Sequence, residues 1–153
     1  MISPIEALIE DARNSRMVVL VDDEDRENEG DLVLPAQFAT PEAINFMVRN
    51  GCGILGLALS SAICDRLNLE PLPGKNVDPQ ATPWTPHIDA RTGITTGTSA
   101  FDRARTIQVA IDDRTTPADL IVVEPDPLRA PADEIVETRV RLAMVGGRVV
   151  WGV

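Results

Sequence analysis

Seven carboxylates fall within ten residues near the start of the chain: Asp22, Asp23, Glu24, Asp25, Glu27, Glu29 and Asp31, with Arg26 the one base among them. Carboxylates crowded in this way repel one another, and they need hydration, backbone donors or a cation to be tolerated. The residues alone leave two readings open, a solvated surface loop or a cation site. Arg26 bears on the second, because one guanidinium can hold a phosphate or carboxylate in a fork of two hydrogen bonds while neighbouring oxygens ligate a hard divalent ion. Oxygen ligands with almost no imidazole or thiolate nearby select Mg²⁺ or Mn²⁺ over Zn²⁺.

A second constellation, Thr95-Thr96-Gly97-Thr98-Ser99-Ala100-Phe101-Asp102-Arg103, places hydroxyls and a glycine in front of a helix. Free N–H groups at a helix start suit a phosphate; the same residues equally describe a well-capped helix preceded by a threonine-rich strand. His87 is the only histidine, and the only side chain that titrates near neutrality unperturbed. Cys52 lies between two glycines and reads as a tight turn. With Cys64 twelve positions on, it forms neither a zinc pattern nor a disulfide framework, so reduced thiols are expected. Lys75 is the only lysine, which excludes a Schiff-base mechanism anywhere else in the chain.

These groups need elements to position them. Ile5, Leu8, Ile9 and Ala12 keep helical spacing behind a cap and first-turn proline at Ser3-Pro4. Met17 to Val21 and Asp31 to Ala36 read as strands, with the acidic run as the loop between them. Thr40-Pro41-Glu42 starts a helix with Ile44, Met47 and Val48 on one face, ended by Gly51. The continuous apolar run Gly53 to Leu59 predicts a strand covered on both faces, and Ser60 caps a short helix through Leu67. Five prolines make residues 69–86 a long irregular loop. Ile88 to Ala90 and Gly93 to Thr96 predict a hairpin leading into a helix over Ala100 to Ile111, capped by Ser99 with Asp102 three residues on. Leu120 to Val123 is a further strand, and apolar alternation on both sides of Gly146-Gly147 predicts a closing hairpin.

The whole composition narrows the partners. The 153 residues suffice for one domain, 44% apolar and 25% charged, and this excludes collagen-like, wholly disordered and disulfide-dense classes. Twenty-four acids against fourteen bases leave a net charge of -10, which disfavours nucleic acid and anionic membranes as partners. At 3% aromatic content there is little to stack single-stranded bases on. The first sixteen residues carry three acids and no base before Arg13, unlike a signal peptide, and no apolar run reaches membrane-spanning length. A cytoplasmic setting is expected.

Three segments together, VDDEDRENEGDLV (21–33), ATPEAINFMVRNGCGILGLAL (39–59) and ITTGTSAFDRARTI (94–107), closely resemble the 3,4-dihydroxy-2-butanone 4-phosphate synthase family over residues 1 to about 120. The resemblance implies an α/β (α+β) single mixed-sheet domain, a homodimer, and Mg²⁺-dependent conversion of the sugar phosphate D-ribulose 5-phosphate into formate and the four-carbon ketone phosphate of riboflavin biosynthesis. It implies Glu27 as a metal ligand, Arg26 as a phosphate or hydroxyl contact, Glu29 and Asp31 as acid/base or substrate-positioning groups, and Asp22 at the same mouth. Thr95, Thr96 and Ser99 would line the sugar-phosphate pocket.

The sequence also departs from that pattern. Gly56 stands where the family usually has cysteine, Thr82-Pro83-Trp84-Thr85-Pro86-His87 replaces a Thr-rich segment, and the chain is about fifty residues short of the family pattern. No histidine follows His87, so the family's PGH-type and RxGHTE motifs are absent. Residues 117–151, with their Gly-Gly hairpin, resemble the closing segment of metal-dependent amidohydrolases, which implies a synthase-like part over 1–116 and a β-rich tail over 117–153 packing on it. A non-catalytic sugar-phosphate or cation-binding homologue, or a chimera, is the alternative reading.

Overall fold

Local rules account for most of the helix starts. The computed structural model describes residues 3–21, 25, 29–72, 84–123, 142–145 and 148–152, with the backbone alone for 123 and the last two stretches. The chain forms two compact units, Met1–Leu57 and Ala58–Val153. Three helices in them begin on a hydroxyl that takes an orphan N–H of the first turn. The hydroxyl of Thr40 accepts from the Ala43 N–H for α2 (Pro41–Gly51), Ser60 from Ile63 for α3 (Ser61–Leu67), and Ser99 from Asp102 for α4 (Ala100–Ile111). Helix α1 (Ile5–Arg13) departs from the expectation. Pro4 itself is its N-cap and no side chain closes that end, because proline fixes a helix-compatible φ without offering an acceptor.

In the first unit β1 (Val18–Val21) pairs antiparallel with β2 (Gly30–Val33), register Val21↔Gly30, so the acidic run does join two paired strands as the sequence indicated. A single 3₁₀ turn over Ala36–Phe38 takes the end of the expected second strand and leads to α2. Ala39 and Ile44 are buried there, whereas Ile5, Ile9, Phe46 and Val48 are exposed. At the end of α2 Cys52 takes the left-handed conformation, φ 55°, which glycine more often supplies. Its thiol donates to the Arg49 carbonyl at 3.4 Å.

The stretch 54–60 overturns an expectation. It forms no ladder among the described residues, and Ile54 is 63% exposed rather than covered. Burial still alternates, with Leu55, Leu57 and Leu59 half-buried and Ile54, Gly56 and Ala58 exposed. The residues keep the period of a strand, but apolar content alone supplies no hydrogen-bonding neighbour.

In the second unit the expected hairpin between Ile88–Ala90 and Gly93–Thr96 is replaced by a longer-range pairing. Strand β3 (His87–Ala90) runs antiparallel to β4 (Leu120–Val123), register His87↔Val123 to Ala90↔Leu120, and 91–99 is a series of bends. Arg91 continues the pairing, its backbone N–H donating to Asp119 O at 2.9 Å and its Nε to Ala118 O at 2.6 Å. Between the strands α4 lies on β3, tied by the Ala90 N–H donating to the buried Thr106 hydroxyl at 3.0 Å. Ala104, Ile107 and Ala110 form the buried stripe of α4, with Ala90 and Leu120 buried on the strands.

Position 116/117 lies inside this second unit, just before the 3₁₀ turn Pro117–Asp119 that leads into β4. Strands β5 (Leu142–Val145) and β6 (Arg148–Gly152) pair antiparallel with Val145↔Arg148, the hairpin expected around Gly146-Gly147. The fold is α+β; its described strands lie in three two-stranded antiparallel sheets.

Arg66 of α3 braces the far end of α4. One Nη donates to Asp112 O and Thr115 O, each at 2.7 Å, and the other to Ala110 O at 3.5 Å, meeting two carbonyls at the C-terminal end of α4 and one just beyond it. Arg66→Met keeps the aliphatic stem and removes these charged donors, so chemical denaturation should show a loss of about 2 kcal/mol.

Candidate functional site: an acidic hairpin and a carboxylate-anchored threonine turn

Of the acidic run, Asp25, Glu29 and Asp31 are described; Asp22, Arg26 and Glu27 lie outside the described residues. Glu29 directly precedes β2, and Asp31 is its second residue, opposite Leu20 of β1. Two positions apart along extended chain is the spacing that sends side chains to one face. Both residues are exposed, so water solvates their charge. Among the described residues no three His, Cys, Asp or Glu side chains converge as a metal site.

The second constellation lies in the other unit and is built on one carboxylate that the sequence presented only as part of a cap. Asp102, 3% exposed, does not fold back to the N–H of its own N-cap as a capping-box acid would. It reaches instead into the preceding turn, where Oδ1 accepts the Thr95 N–H at 2.9 Å. Oδ2 accepts the Thr95 hydroxyl at 2.8 Å, the Thr96 N–H at 3.2 Å and the Gly97 N–H at 3.1 Å. The Asp102 N–H donates to Ser99 Oγ at 3.1 Å. These donors, the Thr95 N–H foremost, hold the Asp102 carboxyl down at about 2 against the opposing effect of burial.

The hydroxyls expected to face a ligand are therefore divided. Those of Thr95 and Ser99 are engaged with Asp102, and Thr96 Oγ sits 2.7 Å from Thr98 Oγ on the exposed side. Gly97 is required here twice over. Its φ is +81°, and a Cβ built on it would overlap the carboxylate of Asp89, which comes up from β3 beneath the turn.

Asp89 was missed by reading the sequence, where it looks like one polar residue inside a short strand. Half-buried, its carboxyl is pushed up from the usual value, chiefly by burial and then by the negative charge of Asp102, while His87 and Arg103 pull it back. Two neighbouring carboxyls are thus driven in opposite directions, one fixed as an anion and one made more willing to hold a proton. The signal that could have found Asp102 is an acid at the third helical position behind a Thr-Thr-Gly turn that offers more N–H groups than a helix can use. His87 opens β3 in the second unit, exposed. Its relation to Glu27 falls outside the described residues.

Exposed carboxylates at the start of β2 in one unit, and in the other a threonine turn at a helix start, lie on an α+β framework. The family model for 3,4-dihydroxy-2-butanone 4-phosphate synthase matches residues 6–125, and the chain belongs to that family.

It is 50% identical over 117 residues to 3,4-dihydroxy-2-butanone 4-phosphate synthase of Pseudomonas syringae pv. tomato, covering 76% of this chain and 32% of that one. With the same-named protein of Neisseria meningitidis serogroup B it is 41% identical over 157 residues, covering 97% of this chain and 43% of that one. A crystal structure of 3,4-dihydroxy-2-butanone 4-phosphate synthase in complex with two magnesium ions superposes with a TM-score of 0.73 at 33% identity, over 78% of this chain and 56% of that one. The chain thus spans roughly a third to two-fifths of the curated relatives named here.

The amidohydrolase likeness expected for residues 117–151 finds no support. The family match runs on to residue 125, and the Neisseria alignment takes in nearly the whole chain, tail included. Short β-strands ending in a Gly-Gly hairpin recur wherever a small sheet must turn back on itself, so that pattern was too generic to mark an origin.

Two outcomes follow from the turn. Gly97→Ala forces a left-handed alanine against the Asp89 carboxylate and should destabilise the protein by about 2 kcal/mol in urea unfolding. Asp102, held below its ordinary value of 3.8, contributes stability above that value and loses it as pH falls toward about 2. Asp89, pushed upward, has the opposite sign. Melting temperature should therefore fall less steeply between about pH 4 and pH 2 in Asp102→Asn than in the parent protein.

Proposed function

We propose that this chain provides the acidic and threonine-turn parts of a 3,4-dihydroxy-2-butanone 4-phosphate synthase site, acting on D-ribulose 5-phosphate to yield formate and the four-carbon ketone phosphate used in riboflavin biosynthesis. The observation that carries this reading is the family match over residues 6–125, which takes in both the acidic hairpin and the threonine turn. Arg26 holds the phosphate or a hydroxyl of the sugar in a two-pronged contact. Asp22, Glu29 and Asp31 move protons between adjacent substrate carbons, and the exposure of Glu29 and Asp31 suits that work. Thr95, Thr96 and Ser99 contribute to sugar-phosphate binding on the same reading, Thr95 and Ser99 through the turn they build with Asp102.

The donor chemistry of the hairpin is all oxygen, and this fits a hard divalent ion; the magnesium in the solved relative supports Mg²⁺ as that ion. Glu27 is the residue that would hold it. When bound, the ion supplies positive charge beside the substrate oxygens. No histidine follows His87 in the sequence, so Glu27 is the only metal ligand this reading assigns. A homodimer in the cytoplasm belongs to the same reading and rests on the family likeness alone. No helix among the described residues is long and apolar enough to cross a membrane.

The test is formate release from D-ribulose 5-phosphate in Mg²⁺ buffer. Glu27→Gln and Glu29→Gln should each lower the rate by about a hundredfold or more. Formate release left unchanged by Glu27→Gln would remove that residue from the site.

A further inference from the structure

Asp102 has more hydrogen bonds than a helix start requires. Ser99 already caps α4 by taking the Asp102 N–H, so the carboxylate is not needed to begin the helix. It serves the turn before it, through three successive backbone N–H groups and one hydroxyl. Three consecutive amides pointing at one buried anion fix the backbone of residues 95–97 as a concave arc, a conformation that water alone would not hold. The glycine at the end of the arc is pressed down on Asp89 of β3, so the turn has little room to shift in that direction. The Thr96 and Thr98 hydroxyls stand on the exposed side of this arc, 2.7 Å apart.

We propose that Asp102 is a positioning residue for the sugar phosphate: by gathering the donors of Thr95, Thr96 and Gly97 inward, it fixes the outward placement of the threonine turn against which the substrate binds. The proposal rests on the function proposed above and deepens it. Asp102 acts through the turn and does not touch the substrate itself. Its loss costs affinity, because unanchored amides and hydroxyls must be ordered again each time a ligand binds. An asparagine in its place accepts through one oxygen only and sets an NH₂ against N–H donors, so the arc reopens even where the helix survives.

Titration calorimetry with D-ribulose 5-phosphate, in Mg²⁺ buffer on the full chain, separates this role from a purely structural one. Asp102→Asn should bind about tenfold more weakly or worse. Asp102→Glu keeps the negative charge at the helix start while moving the oxygens out by one carbon, and it should show a similar loss; it serves where the asparagine variant does not fold. Arg66→Met, which loosens the other end of the same helix, should lower the melting temperature and leave the dissociation constant within about twofold of the parent. If the parent binds and both Asp102 variants bind equally well, the positioning role is overturned and the proposed function stands. If the parent itself does not bind the sugar phosphate, the proposed function falls and this inference falls with it.

Discussion

A buried anion without a cation is tolerated only where enough N–H and O–H groups are aimed at it, and Asp102 turns that requirement into a building principle for the second unit. Four donors from residues 95–97 converge on it. They set the direction of the chain as it enters α4, where a positive φ and the nearby Asp89 carboxylate require glycine at position 97. Take the carboxylate away and three backbone amides and a hydroxyl lose their partner together. The turn, the helix start and the face of β3 are therefore one electrostatic arrangement rather than three neighbouring features.

The acidic hairpin of the first unit solves the opposite problem. Its described carboxylates, Asp25, Glu29 and Asp31, are exposed, so water screens their mutual repulsion. Such a group is open to solvent, whereas Asp102 is enclosed by the donors of its own turn. One chain thus holds the same side chain in two settings, hydrated carboxylates on a surface hairpin and a dehydrated one that builds a turn.

What was legible in the sequence follows the range of the interactions concerned. Thr40, Ser60 and Ser99 are read correctly as caps because an N-cap bond spans three residues. The β1–β2 hairpin is legible because its strands sit on either side of a polar loop. The run 53–59 is misread as a covered strand because strandness needs a hydrogen-bonded neighbour that no local pattern supplies. The pairing of β3 with β4, in place of a tight hairpin with 93–96, escapes for the same reason, since a whole helix intervenes. Within the site, the threonines and the acidic run are visible by composition, but the relation of Asp89 to Asp102 comes into being only when the helix is laid on the strand.

The β3–β4 ladder also works as a neck. Everything from Arg91 to Asp119, the threonine turn and α4 included, leaves from one strand and returns to the other, and Arg91 fastens the throat on both its backbone and its side chain. The Thr106 hydroxyl stitches the helix to the same strand from within. Segments closed in this manner open as cooperative units, so the turn is as durable as the ladder that encloses it and does not behave like a surface loop. Rigidity at the threonine turn is in this sense borrowed from strands that carry none of its chemistry.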